Sequence, residues 1–335
     1  MKAIAAELGV SRTAVSLVLK GEGDRYRIHA DTQKKIRDRI RKLNFKPDYF
    51  ARALASRHTH AIGAVFPNVF EPFMNETIKG VEDVMYKHDY LMMLCTSAFD
   101  GAREARNIEQ LIHRRVDGLL LMCTAPFAGE TIDQGHVASL LAGPTPVVLV
   151  DRYLESTDSH YVVQDDAWGA RKAVDKLAAI GCRRIAYVGF DLRITSLVHR
   201  RNGFLQGIAE AGLRESDSAT IMLHRRDPAS ADLRDALTAL FASSGRPDGI
   251  FVSTSGIAYK VRAVLAAMGI EINKDIAIAK FGADPDFSPS GMYCIKQPHA
   301  EMGQKAAQLL LDLMRMTGSS RGYEHIVVRP GLSWE

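Results

Sequence analysis

Arg12, Thr13, Ser16, Leu17 and Lys20 fall on one side of a helix wound at about 100° per residue. That strip offers a guanidinium, two hydroxyls, an ammonium and one apolar side chain. A guanidinium can donate in parallel to O6 and N7 of guanine. Hydroxyls and an ammonium suit phosphate oxygens, which hold a protein in register on a duplex. The chemistry on offer is the reading of nucleic acid. Ala14, Val15, Val18 and Leu19 take the opposite side, as a helix seated on a small core requires.

The elements that must position this strip lie on either side of it. Ser11 stands where a side-chain oxygen can cap free helical N–H groups. Gly9-Val10 reads as a tight turn. Lys2–Leu8 reads as a first short helix with Ile4, Ala5 and Leu8 inward, and no Ser or Thr ahead to cap it. Helix, glycine turn and capped helix is a helix-turn-helix, whose second helix enters the major groove with its N-terminal residues leading. A polar loop, Glu22–Arg27, then leads to a third helix from about Ala30 to Leu43. Ile36, Ile40 and Leu43 form its inner stripe, Ile28 packs at its entry, and six Lys and Arg crowd its outer side.

Pro47 ends that helix, because proline disfavours helical geometry in the residue before it. Asp48 can cap a further helix over Tyr49–Ser56, too short to be stable in water unsupported. On DNA, Arg52 would meet phosphates. Leu54 is placed to wedge between base steps in the minor groove; packing on its own domain is the plainer alternative.

Charge is divided along the chain. Residues 1–58 hold 14 Lys and Arg against 6 Asp and Glu; the remainder holds 29 against 33. A basic head on a mildly acidic body fits a polyanion at the head only. No apolar run reaches the roughly 18 residues of a membrane span, and the start lacks a basic-then-apolar leader. The expectation is a cytoplasmic protein with no membrane partner. Cys95, Cys123, Cys182 and Cys294 are scattered without a CxxC pair. Reduced thiols are expected, with no metal and no cofactor.

From Ala61 apolar runs alternate with helical patterns. Ala61–Pro67, Tyr90–Cys95, Val116–Met122 and Pro146–Asp151 read as strands; Pro72–His88, Ala102–Arg114 and Gly135–Leu141 read as helices. The plan then repeats. Arg184–Gly189, Ala219–Leu223, 247–252 and Asp275–Phe281 are strands, with helices over His199–Ala211 and Ala229–Ala242. Repeated β-α implies parallel sheets covered on both faces. Ligands in such sheets bind beyond the carboxyl ends of the strands, and two units can face those ends across a cleft that closes by hinge motion.

At this point the chain resembles the lactose-repressor (LacI/GalR) family of bacterial transcription regulators over essentially its whole length. IAAELGVSRTAVSLVLKG is similar to the family's helix-turn-helix signature and FKPDYFARALASR to its hinge segment. RRVDGLLL, VVLVDR, LAAIGCRRIAYVGF, PDGIFVS and IKQPHAEMG resemble recurring family blocks, in the right order. The resemblance implies an all-α head over 1–46, a hinge over 47–58 and a periplasmic-binding-protein-like body over 59–335. It implies one lobe from about 59–160 and 285–320, and a second from about 161–284 and 321–335. It further implies a homodimeric repressor, a roughly palindromic operator and a small-molecule effector in the cleft.

Carried over by position, Arg12 and Thr13 would read base edges, Ser16 would contact phosphate, and Leu17 would read apolar surface or nothing. Lys20 and His29 join the DNA-facing set, His29 standing where the family usually has a capping Ser. Arg52 and Leu54 match the hinge arginine and leucine. In the cleft, Arg200 matches the arginine that grips effector, and Asn68 and Phe73 match the pocket lip. Thr254-Ser255 replace the expected Asn-Asp pair, and Asp284 stands one place beyond the expected aspartate. An uncompensated Arg200 would favour a carboxylate or phosphate. For Asp151 a salt bridge and a ligand contact are both open. The expected effector is therefore a sugar, sugar acid or sugar phosphate.

Two rival classes fit less well. A solute-binding protein shares the body but would carry a leader and no basic head. An enzyme would need a metal-ligand cluster, nucleophile elbow or P-loop, and the sequence has none of these motifs.

Overall fold

The computed structural model describes residues 1–45, 58–124, 134–224, 230–282, 291–316 and 322–334. The chain divides into two compact units, Met1–Thr59 and His60–Glu335.

The first unit holds α1 (Lys2–Glu7), α2 (Arg12–Leu19) and α3 (Ala30–Lys42). Ile4, Ala5, Val15, Val18 and Ile36 form its core, with Leu8, Leu19, Ile28 and Ile40 packed against them. One expectation fails: Leu43 is 46% exposed, because α3 stops at Lys42 and Leu43 is its C-cap. Gly9 and Gly21 have φ of 63° and 74°, a region open to glycine without strain. The loop between α2 and α3 is held by buried Gln33, whose amide donates to Asp24 Oδ1 and to the Ile28 carbonyl, both at 2.8 Å. A Cβ on Gly23 would collide with that amide.

The second unit contains two sheets. The first sheet uses β1 (Ala61–Phe66), β2 (Leu91–Thr96), β3 (Gly118–Leu121), β4 (Val147–Val150), β5 (His160–Gln164) and β11 (His325–Val328), in the order β11-β5-β4-β3-β1-β2. The second uses β6 (Ile185–Phe190), β7 (Thr220–Leu223), β8 (Gly249–Val252), β9 (Ala277–Phe281), β10 (Tyr293–Lys296) and β12 (Gly331–Trp334), in the order β12-β10-β9-β8-β6-β7. All pairings are parallel except β10 with β12.

Helices α4 (Pro72–Lys87), α5 (Gly101–His113), α6 (Gly135–Leu141) and α11 (His299–Arg315) cover the first sheet. Helices α7 (Asp166–Ala179), α8 (Thr195–Glu210), α9 (Ser230–Ala242) and α10 (Ser255–Ala267) cover the second. Central strands such as β3 and β8 are buried along their whole length, as parallel strands covered on both faces must be.

Sheet membership corrects the lobe boundaries expected from the sequence. His160–Gln164 completes the first sheet rather than opening the second lobe, and Tyr293–Lys296 belongs to the second sheet, not the first. The first lobe also takes back His325–Val328 through pairing with β5. Short apolar segments of four or five residues carry no mark of which lobe they serve. Helix α8 also begins at Thr195, four residues earlier than the sequence suggested.

Glycines let helices cross closely in both lobes. A Cβ on Gly80 of α4 would fall on the Ala300 carbonyl of α11, and one on Gly303 of α11 on the Thr77 carbonyl. Gly203 of α8 approaches the backbone of Ala167 in α7 in the same way. Overpacking of such a contact is costly. Gly80→Ala is expected to lower stability by about 1–3 kcal/mol, seen as a lower urea midpoint at unchanged slope. Gly256→Ala, with open space at its Cβ, is expected to be neutral or stabilising in the same measurement.

Candidate functional site

In the N-terminal unit, α2 presents the strip expected of it. Arg12, Thr13 and Lys20 are exposed, Ser16 and Leu17 half-buried, and Val15 and Val18 point into the core. Ser11 Oγ accepts from the Ala14 amide at 3.0 Å and so fixes where α2 starts. At α3, His29 Nδ1 accepts from the Asp31 amide at 3.3 Å. The imidazole thus caps the start of α3. Arg39 is committed to Glu7, its Nε donating to Oε2 at 2.8 Å, which ties α3 to α1. Lys34, Lys35, Arg37, Arg41 and Lys42 remain on the exposed side. Arg52 and Leu54 lie outside the described residues.

In the second unit a cavity of about 330 Å³ opens between the lobes. Its walls come from the carboxyl ends of strands flanking the point where strand order reverses in each sheet, the usual ligand position in open α/β sheets. The first lobe supplies Glu71, Phe73 and Met74 after β1, Phe99 after β2 and Asp151 after β4. The second supplies Phe190, Leu192 and Ile194 after β6, Ser196, Leu197 and Arg200 from α8, and Thr254, Ser255, Ile257 and Lys260 after β8. Gln297, at a crossing between lobes, completes the wall.

Of the cleft residues named from the sequence, Phe73, Asp151, Arg200 and Thr254 line this cavity. Asn68 is not among its lining residues: its Oδ1 accepts from the Phe70 amide at 2.9 Å, closing the turn before α4. Asp284 lies outside the described residues. Thr254 has a second task, its Oγ1 accepting from the Ile257 amide at 3.5 Å as the N-cap of α10.

Arg200 corrects an expectation. It is not an uncompensated cation: its Nε donates to Asp166 Oδ1 at 2.6 Å, and its Nη1 to the Ser253 carbonyl at 2.7 Å. Its guanidinium lies 4.1 Å from the centre of the Phe281 ring. Arg200 is 5% and Asp166 2% exposed. Gln164 Nε2 also donates to Asp166, at 2.7 Å. Burial pushes the Asp166 carboxyl up, to about 6, and Arg200 pulls it back. The preference for an anionic effector that rested on a lone Arg200 therefore loses its basis.

Asp151 makes the salt bridge that the sequence left open, and it does so at the cavity wall. It lines the cavity, and its Oδ2 accepts from Arg152 Nε at 3.1 Å. Its φ of 68° is unusual for a residue other than glycine.

Sequence reasoning missed Asp166 and His299, whereas Phe99, Arg152 and Phe190 fall in the loops after strands, where ligand contacts were expected. Asp166 follows strand β5, so the end of HYVVQ was a readable signal for it. Its pairing with Arg200, 34 residues on, had none. His299 opens α11 and is 7% exposed, and neither ring nitrogen has a hydrogen-bond partner among the described residues. Its ring centre lies 5.3 Å from that of Phe73. Burial pushes its pKa down to about 4; Asp151 opposes this and Arg200 adds to it.

The periplasmic-binding-protein-like domain model matches residues 174–334. The chain is 28% identical to the ribose operon repressor of Haemophilus influenzae over 98% of its length and 96% of that protein. It is 30% identical to the HTH-type transcriptional regulator PtxS of Pseudomonas plecoglossicida, over 94% of its length and 88% of that protein. The chain belongs to the LacI/GalR family of transcriptional regulators. A LacI-family protein from Silicibacter pomeroyi shares the fold, with a TM-score of 0.73 at 20% identity, covering 99% of this chain and 96% of that one. Against the LacI/GalR plan, the capped α2 is the second helix of the helix-turn-helix and the two-sheet unit is the binding-protein-like body.

Two stability measurements check this site. Arg200→Ala would leave Asp166 as an uncompensated buried charge, at a cost of about 3–5 kcal/mol; adding Asp166→Asn in the same chain is expected to recover part of it. His299 binds protons less readily folded than unfolded, so its contribution is present above pH 6.5 and lost as pH falls from 6.5 through about 4. Relative to His299→Phe, the wild type is expected to lose about 3 kcal/mol across that window, measured as the pH dependence of the difference in unfolding free energy.

Proposed function

We propose that this LacI/GalR regulator is a sequence-specific repressor whose operator affinity is set by a small molecule held between its lobes. One observation carries the reading: a single chain combines a capped helix offering Arg12, Thr13 and Lys20 to solvent with a cavity walled by both lobes of its body. Arg12 and Thr13 read base edges, and Ser16 and Lys20 hold phosphates. Leu17 contributes apolar contact, and His29 holds the start of α3 against the backbone. Arg52 and Leu54 act at the operator centre, Leu54 by opening the minor groove.

The working unit is a homodimer on a roughly palindromic site in the cytoplasm. The edge strand β2 supports this, since Leu91 is 61% and Leu94 40% exposed on a strand with one free side. Pairing two such faces would bury apolar surface that a monomer leaves in water.

The effector is a sugar, sugar acid or sugar phosphate. Phe73, Phe99 and Phe190 supply faces for the C–H side of a ring, and Ser196, Thr254, Ser255 and Gln297 supply hydrogen-bonding groups. Asp151 and Arg200, each already held by a protein partner, are preorganised to meet hydroxyls without moving. Asp284 is kept as a further effector contact on the resemblance alone. An effector changes DNA affinity only by binding one lobe arrangement better than another, and a coupling of about 1–3 kcal/mol is typical.

Arg12→Ala is expected to relax preference at one base pair per half-site; selection of binding sites that returns an unchanged motif removes Arg12 from the readers. Leu54→Ala is expected to weaken operator binding while leaving non-specific binding intact, as followed by mobility shift at matched salt. Phe73→Ala is expected to abolish the effector's influence on that mobility shift while operator binding without effector is retained.

A further inference from the structure

His299 is the least explained polar group in the body. A buried imidazole ordinarily finds a partner for at least one nitrogen, and going without one is costly. Here both nitrogens lack one among the described residues, at 7% exposure. His299 is not itself among the cavity's lining residues, but it sits directly behind them. The ring lies beside Phe73, which lines the cavity, and two residues after Gln297, which also lines it. The charged groups that act on it are Asp151 and Arg200, both cavity residues. Neither is free to serve it, since Asp151 is held by Arg152 and Arg200 by Asp166 and the Ser253 carbonyl.

We propose that His299 is a hydrogen-bonding contact for the effector, and that the effector is a polyol which brings a hydroxyl to this ring past Phe73. The proposal rests on the reading that the cleft holds the effector, and it names the group recognised there. A neutral imidazole offers one N–H and one lone pair. A hydroxyl can accept from the first or donate to the second, whereas a carboxylate or phosphate oxygen can only accept. Burial keeps the ring neutral at physiological pH, so it is matched to hydroxyls and adds no charge for an anion. The surroundings agree: Asp151 and Arg200, the charges that act on the ring, are already paired within the protein. An unpaired ring costs the free protein stability, and a ligand hydroxyl would return it.

The test uses the full-length protein and four probes: D-ribose and D-glucose as neutral polyols, D-glucuronate, and D-glucose 6-phosphate. Thermal shift and calorimetric titration are run on wild type, His299→Phe, His299→Gln and Phe73→Ala. His299→Phe keeps a ring against Phe73 and removes both polar nitrogens. Without probe it is expected to melt about 1–2 °C above wild type, the shift of roughly 1 kcal/mol in a chain of this size. With a polyol that binds wild type it is expected to lose about tenfold in affinity, the value of one hydrogen bond. His299→Gln, which keeps a donor and an acceptor, is expected to bind more tightly than His299→Phe.

Three results would overturn the proposal. The first is His299→Phe melting below wild type without probe, meaning that the ring is satisfied inside the protein. The second is unchanged polyol affinity in His299→Phe. The third is a wild type that responds to no hydroxyl-bearing probe. Phe73→Ala separates the two layers of the argument. Binding lost in Phe73→Ala but kept in His299→Phe leaves the cleft as the effector site and removes only His299; binding unaffected by either removes the cleft.

Discussion

The contact on which the cleft depends is the ion pair between Arg200 and Asp166. Two opposite charges have been taken out of water at a distance of 2.6 Å. Desolvation at such depth costs several kcal/mol per ion and is repaid only by good geometry and further hydrogen bonds. Here the repayment is visible: Gln164 serves the carboxylate, the Ser253 carbonyl serves the guanidinium, and Phe281 lies against its face. Those partners come from the end of β5, the start of α7, α8, the end of β8 and β9. The pair thereby ties together five elements. Neither partner can leave alone without stranding the other.

This arrangement changes what the arginine can do. A lone cation in a cleft is an anion trap, and its partner would have to be charged. A guanidinium already neutralised has N–H groups of fixed direction and little net charge to discharge. Asp151 repeats the logic with Arg152. The cavity therefore combines an apolar, aromatic wall with polar groups whose orientation is set before any ligand enters, and little reorganisation remains to be done on binding.

Much of the head was legible because its helices are short, amphipathic and punctuated. Val15, Val18 and Ile36 repeat at helical spacing, Gly9 marks a turn and Ser11 marks a start, so local rules suffice. The sheet centres were legible for a similar reason: β1, β3, β4 and β8 are apolar runs framed by breakers. The edges were not. His160–Gln164, Tyr293–Lys296 and the last two strands are four or five residues long, and pairing partners far away in sequence decide their lobe. The cleft divided along the same line. Arg200 and Phe73 sit in recognisable blocks, while Asp166 and His299 matter because of neighbours 34 and more than 200 residues away. His29 shows the opposite case: chemistry near at hand, an imidazole nitrogen accepting from the Asp31 amide, caps the start of α3.

The final strands have a consequence for how the molecule is made. β11 closes one edge of the first sheet and β12 one edge of the second, and only two residues separate them. A nascent chain emerging from the ribosome can assemble most of each lobe early, yet neither sheet is complete until residues 325–334 are free. A premature stop there would strip an edge from both lobes at once and expose two unpaired backbones. This short stretch is thus a double latch, and quality control acting on chains cut before it would meet both defects together.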